Sequence, residues 1–222
     1  MTLDEVLYLF PATKRKGWQQ HPNGNGWVYE TAHVEPTAFV GCDAQVYGNA
    51  RVYGYAQVYG NVQVFGHAQV FGNARVSDTA RVSDTARVHG DAQVFGDAQV
   101  FGDARVFGDA WVSGDALVSG NAQVSSNAQV SGYARVFGNA WVSSPLYIQG
   151  SRHALTLCSF TQIAIGCHIH TLAEWKKSYH KIGRAEGYTP AQVKEYGEYI
   201  AVLAKAAIRA KKAAKREDNE NG

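Results

Sequence analysis

Arginines stand beside aromatic residues at intervals of eighteen along much of the chain. Arg51, Arg87 and Arg105 share one register, Arg81 and Arg135 a second, and Arg75 a third. Two places after these arginines come ring-bearing columns in the same registers: Tyr53, Phe71 and Phe107, then Tyr47, Phe65, Phe101 and Phe137, then Tyr59 and Phe95. Aromatic faces stack bases and guanidinium forks pair phosphates, so these types in columns suit a nucleotide or polyanion without any catalytic residue. The same surface also suits burial against further copies of the chain, because exposed apolar patches of this extent ask for a partner. The two uses are compatible, since clefts between protomers would present paired rings and arginines.

Acidic and imidazole groups narrow the chemistry. Asp78, Asp84, Asp91, Asp97, Asp103, Asp109 and Asp115 offset the repeat arginines, which counts against long duplex DNA as a ligand of this region. Asp91 with Asp109, and Asp97 with Asp115, fall one strand spacing apart and could recruit calcium. The preferred reading is that Asp and Asn tolerate a left-handed corner, as Asn49, Asn73 and Asn121 hold equivalent places. General-base catalysis would need a histidine within reach of an acceptor, and this region holds His33, His67 and His89. His89 is the candidate base if the chain is an enzyme, although both His67 and His89 read more simply as substitutions within the pattern. His33 and His89 share a face about three coils apart, roughly 14 Å, too far for a three-histidine zinc site. Further along, His168 and His170 alternate with Cys167 and Ile169, near Cys158 and His153. Zinc is conceivable there, but no Cys-x-x-Cys pair supports it and a packed core is preferred. Neither a phosphate-cradling loop nor a nucleophile elbow occurs.

The element that must position these columns follows from valine, which falls at every sixth position from Val28 to Val142. Six residues turn a helix through roughly 600°, so successive valines would scatter around its surface. The unit Ala-x-Val-x-Gly-x, as in Ala98-Gln99-Val100-Phe101-Gly102-Asp103, suits a short strand with its valine inward, both neighbours outward, and a glycine-containing corner. Three hexads close one triangular coil, and the valines predict about six to seven coils, a rod of roughly 32 Å. Such a rod is stabilised by stacking of neighbours and needs its ends covered.

Residues 1–27 do not repeat and are expected to cap the first coil, with Leu3 to Phe10 as a short helix or strand; residues 28–144 are the rod. Residues 145–216 read as a small α+β cap with short strands at Leu146 to Gln149, Ala154 to Ser159 and Gln162 to Ile169. Two capping boxes, Thr171-Leu172-Ala173-Glu174 and Thr189-Pro190-Ala191-Gln192, start helices expected over Leu172 to Glu186 and from Pro190 to about Arg216. Val193, Tyr196, Ile200, Leu203, Ala207 and Ile208 form the apolar stripe of the second helix. Between Thr171 and Arg216 eleven Lys or Arg face four Glu, so its basic surface is a further candidate for a polyanion; residues 217–222 read as a disordered acidic tail. Three cysteines, no signal peptide and no membrane-spanning run point to a reduced cytoplasmic protein with no membrane partner.

An aliphatic residue followed four places on by a small one, as in Val46 to Ala50, Val100 to Ala104 and Val136 to Ala140, resembles the hexapeptide-repeat family. The usual Gly directly after the aliphatic residue is replaced by Tyr, Phe or Ser, with Gly one place later. The resemblance implies a left-handed parallel β-helix and a homotrimer, and many members are acyltransferases acting on sugars or amino acids. The ending Ile165-Gly166-Cys167 through His170-Thr171, Glu174-Trp175, Gly187-Tyr188 and Glu195-Tyr196 is similar to bacteriophage and prophage proteins with such repeats, which implies viral origin. Related enzymes often carry a loop inserted in the repeat, and no insertion interrupts the register here. The expectation is therefore a non-enzymatic trimeric phage binding protein in the host cytoplasm, without cofactor or metal, that sequesters a nucleotide signal or blocks a host immune protein. An acyltransferase using acetyl-coenzyme A with His89 as base, and a structural virion component, are the alternatives.

Overall fold

The computed structural model describes residues 1–137, 140–141 and 145–220, so Val142 and the expected rod boundary at residue 144 lie outside the described residues. The chain is mainly β, a solenoid of about six turns followed by a small sheet and two helices. Three parallel sheets run along the rod, and residues eighteen apart are neighbours: Val82 pairs with both Val64 and Val100. The rungs are short because each holds little more than one outward residue and one inward valine. Their amides are satisfied by the next coil, as where Phe71 N donates to Val88 O at 3.0 Å and Gln69 N to Ala86 O at 2.9 Å.

The core is the column of Val40 to Val136 with the alanines from Ala38 to Ala134, all essentially without solvent contact. Val28 and Val34 are only half-buried, because no full coil lies beneath them. Burying one valine contributes about 1.5–3 kcal/mol, so the stack supplies its stability in small equal increments.

Glycine forms the corners for two reasons that coincide at Gly102. Its φ is +68°, and a Cβ there would lie 2.9 Å from the amide nitrogen of Gly120 in the next coil. Asp78 and Asp84, at φ 62° and 57°, take the same corner without glycine. Their carboxylates accept from Gly96 N at 2.9 Å and Gly102 N at 3.0 Å, and the adjoining Thr79 and Thr85 hydroxyls donate to Asp97 and Asp103, each at 2.6 Å. This corrects the expected role of the other aspartates. Among the described residues Asp91, Asp97, Asp103, Asp109 and Asp115 do not adopt positive φ; they follow the left-handed residue, and three of them join hydrogen bonds between coils, Asp91 from Asn73 Nδ2 at 3.1 Å.

At the N-terminal end, helix α1 (Leu3–Leu9) is held by a Thr2/Glu5 capping box. It buries Val6 against Trp18 and Trp27, and the strand Trp18–Gln20 pairs antiparallel with Trp27–Tyr29, covering the edge of one of the three sheets. At the other end Gln123 pairs with Ala140 and Val124 with Trp141, a step of 17 residues, so the coil register slips by one as the hexad stops.

Beyond it lies a four-stranded antiparallel meander: Tyr147–Gln149, Ala154–Ser159, Gln162–Ile165 and His168–Thr171. The stretch expected as one strand to Ile169 divides because Gly166, at φ +55°, turns the chain. Helix α2 (Leu172–Ala185) starts at the Thr171/Glu174 box and buries Trp175, whose indole donates to Ile163 O at 2.8 Å. Helix α3 (Pro190–Glu220) starts where Thr189 and Gln192 exchange hydrogen bonds. It runs past Arg216 through residues expected as disordered tail; no Gly or Pro stands between Gly197 and Gly222, and Lys, Arg and Glu are good helix formers. Of the predicted stripe, Val193 to Ala207 are buried, while Ile208 is 60% exposed. No helix is long and apolar enough to cross a membrane, among the described residues.

Candidate functional site

One sheet of the rod carries the first predicted set together. Its outward residues before the valines are Arg51, Gln69, Arg87 and Arg105 in successive rungs, so Arg87 and Arg105 are direct neighbours. Strand spacing puts their backbones about 4.8 Å apart, and like charges at that distance repel by about 1 kcal/mol in water. All three arginines are exposed, and among the described residues no carboxylate lies within salt-bridge distance of them. An anion bridging adjacent rungs would relieve that repulsion.

Beside the arginines the rings form a continuous column. Tyr53 stacks on Phe71 with centroids 4.7 Å apart, Phe71 on His89 at 4.6 Å and His89 on Phe107 at 5.2 Å, all within 10° of parallel. His89, read from the sequence as a substitution at an aromatic place, is the fourth ring of the stack that holds Tyr53, Phe71 and Phe107. Burial first, then the charges of Arg105 and Arg87, lower the His89 pKa and so favour the neutral imidazole. Burial raises the Tyr53 pKa, against the opposing charges of Arg87 and Arg51, and its hydroxyl donates to Gln69 Oε1 at 3.3 Å. The column ends at Phe107, because Ser125 brings no ring to the next rung.

The aromatic rows are less exposed than expected. Ring-on-ring stacking between coils leaves Tyr47, Tyr53, Phe65, Phe71 and Phe107 half-buried, and Phe95 and Phe101 are half-buried as well. The wide-open rings are scattered instead, Tyr8 on α1 and Tyr55 and Tyr133 in the rod above all.

The second predicted set is not brought together as one unit. Tyr47 stacks on Phe65 at 5.0 Å, and the Arg81 guanidinium lies over Phe65 at 5.5 Å, where Ser83 leaves the column open. Trp111 does the same beside Ser113, meeting Phe95 edge-on at 6.3 Å. Phe101 has serine, Ser83 and Ser119, in the rungs on both sides. Arg135 is three rungs from Arg81, roughly 14 Å, and lines a cavity against the cap with Tyr133, Gln149, Arg152 and His153. Sequence spacing carried no signal for Arg152 or His153 as its partners.

The histidine and cysteine cluster of the cap is committed to packing. His168 and His170 share a face at 6.0 Å, but His168 Nε2 binds Glu186 Oε1 at 3.0 Å and His170 meets the edge of Trp175. The Cys158 thiol is buried, donates to Gln162 O at 3.3 Å and has its pKa pushed up to about 12 by burial. Among the described residues no three His, Cys, Asp or Glu side chains converge. His67 stands exposed in a shallow hollow with Asn49, Arg51 and Gln69. On α3, Lys205, Arg209, Lys211 and Lys212 are exposed.

Residues 44–60, 68–84, 98–114, 110–126 and 128–144 match the family model described as YdcK beta solenoid repeat. The repeats of the rod are similar to the YdcK β-solenoid repeat. The matched stretches amount to less than half of the chain and all fall in the solenoid, so the likeness speaks for a repeat β-helix and leaves the cap aside. No match is found among curated proteins.

Proposed function

We propose that the protein is a non-enzymatic binding solenoid, assembled as a homotrimer, whose Arg51, Arg87 and Arg105 column holds the phosphates of a nucleotide. The observation that carries this reading is the adjacency of Arg87 and Arg105 with no carboxylate within salt-bridge distance among the described residues. A diphosphate spans adjacent rungs, and each guanidinium offers a fork of donors to it. Within the column the ring faces are already stacked, so the base is placed at its end, on Phe107. Arg81 and Phe101 on the neighbouring sheet serve the contact between protomers, and the basic face of α3 is a secondary polyanion surface. In its narrowest form, resting on the resemblance of the tail to phage and prophage proteins, the solenoid sequesters a nucleotide signal or blocks a host immune protein.

Thermal-shift titration with nucleoside diphosphates tests this. A rise in melting temperature that disappears in Arg87→Ala and in Arg105→Ala supports it, as does a particle of three times the chain mass in sedimentation. Turnover of acetyl-coenzyme A that vanishes in His89→Ala would overturn it in favour of an acyltransferase. That enzyme would have to use an imidazole whose two faces are covered by Phe71 and Phe107.

A further inference from the structure

Two cavities of the cap adjoin each other and differ in character. The first, about 330 Å³, lies between α2, α3 and the sheet, with Ile165, Trp175, Tyr179, Ile182, Val193 and Ile200 in its wall. An engineered apolar cavity of roughly 150 Å³ accommodates benzene, so this one has room for a two-ring or medium-chain body. The second, about 280 Å³, is polar and contains Arg135 and Arg152 with no Asp or Glu in its lining. His153 and Gly166 belong to both walls. A side chain at Gly166 would meet the His153 ring at 3.3 Å, so glycine allows the turn and the imidazole to approach at this junction.

The junction is rigidly built. The Tyr196 hydroxyl accepts from Arg152 N at 3.0 Å and from His153 N, and donates to His153 O at 2.7 Å. Glu195 accepts from Ser151 N at 2.9 Å and from its hydroxyl at 2.6 Å, fastening the same turn to α3. Arg152 donates one guanidinium N–H to Gly187 O at 2.9 Å and lies over Tyr188 at 5.0 Å, which directs its head without neutralising it. The acid in the first cavity, Glu186, is paired with His168 at 3.0 Å. Two cations in a cavity whose own lining holds no carboxylate therefore lie next to an apolar chamber whose one acid is already paired.

From this juxtaposition we infer that the cap binds a small amphipathic organic anion, an aryl or medium-chain alkyl acid. Its apolar body enters the chamber between α2 and α3, and its acidic head meets Arg135 and Arg152. The site is separate from the arginine column of the solenoid and does not depend on it.

The probe is 8-anilinonaphthalene-1-sulfonate, a two-ring anion, titrated by fluorescence into the full chain. Saturable binding at one site per chain is expected, weakened about tenfold or more by Arg135→Gln, as loss of a charge-assisted contact implies, and by Ile182→Trp, which fills the chamber. Octanoate should displace the probe, while octanol and acetate, lacking head or body, should need at least about tenfold more. The double variant Arg87→Ala/Arg105→Ala should bind the probe like the parent, which separates this site from the nucleotide proposal. Unchanged probe affinity in both Arg135→Gln and Ile182→Trp, with melting temperatures confirming that they fold, would overturn the inference. Displacement by octanol as efficient as by octanoate would do the same.

Discussion

In the solenoid the surroundings of Val88 are repeated eighteen residues on at Val106, whereas in the cap the hydroxyl of Tyr196 reaches across 43 residues to the turn at His153. The first kind of contact is periodic and shared equally among neighbours. The second occurs once, and a single side chain decides whether a turn is held. A periodic rod is therefore tolerant of what its outward residues are but not of what its corners and inward column are. The cap concentrates specificity in a few long-range contacts, and with it the two adjoining cavities.

Substitutions can break this contrast or sharpen it. The largest effect is expected from Val88→Asp, which puts a carboxylate in the middle of the inward column where nothing can pair it. A loss of about 4 kcal/mol or more in urea denaturation is expected, and a value near zero would mean the column is not a continuous core. Next comes a pair of glycines with nearly the same dihedral. Gly102→Ala, at φ +68°, also drives a Cβ to 2.9 Å from the next coil and should cost about 3 kcal/mol; Gly187→Ala in the cap, at φ +72°, has nothing nearer than Arg152 Nη1 at 3.8 Å and should cost about 1 kcal/mol. Equal losses would refute coil-on-coil contact as the reason for corner glycine. Tyr196→Phe, which removes the hydroxyl holding residues 152 and 153, should cost about 1–2 kcal/mol and weaken the sulfonate probe while leaving nucleotide-induced shifts unaltered.

The smallest effect belongs to His89. Its folded-state pKa is lowered from 6.5, so unfolding takes up a proton once the pH falls below that value. The stability it contributes is present above pH 6.5 and declines as the pH falls towards the depressed folded-state pKa, levelling off beneath it. His89→Phe, which keeps the ring column, should flatten that part of the stability profile; an unchanged slope would assign it to other groups.

The solenoid was legible because a period of eighteen turns sequence distance into spatial adjacency. Val82 beside Val100 and Arg87 beside Arg105 follow from counting alone. Counting also placed the capping boxes at Thr171 and Thr189, since a box is local in sequence. It misjudged exposure, because whether Tyr53 and Phe71 face water depends on rotamers that stack them, and these are chosen only when both coils are present. It also assigned the left-handed corner to residues such as Asp91, although the residue before it carries the positive φ.

What the amino-acid order determined by itself is the periodic part: inward valines, outward arginines and rings, and glycine corners, all consequences of steric rules acting within one or two coils. Only the tertiary structure decided that Arg135 leaves the arginine set of the rod to join Arg152 and His153, that Arg81 and Trp111 lie against Phe65 and Phe95 where serine interrupts the ring columns, and that α2 and α3 leave a chamber beside the sheet. The physical reason is range. Nearest-neighbour contacts are encoded where they occur, but a cavity is the space left between elements distant in sequence, and its shape exists only once all of them have packed.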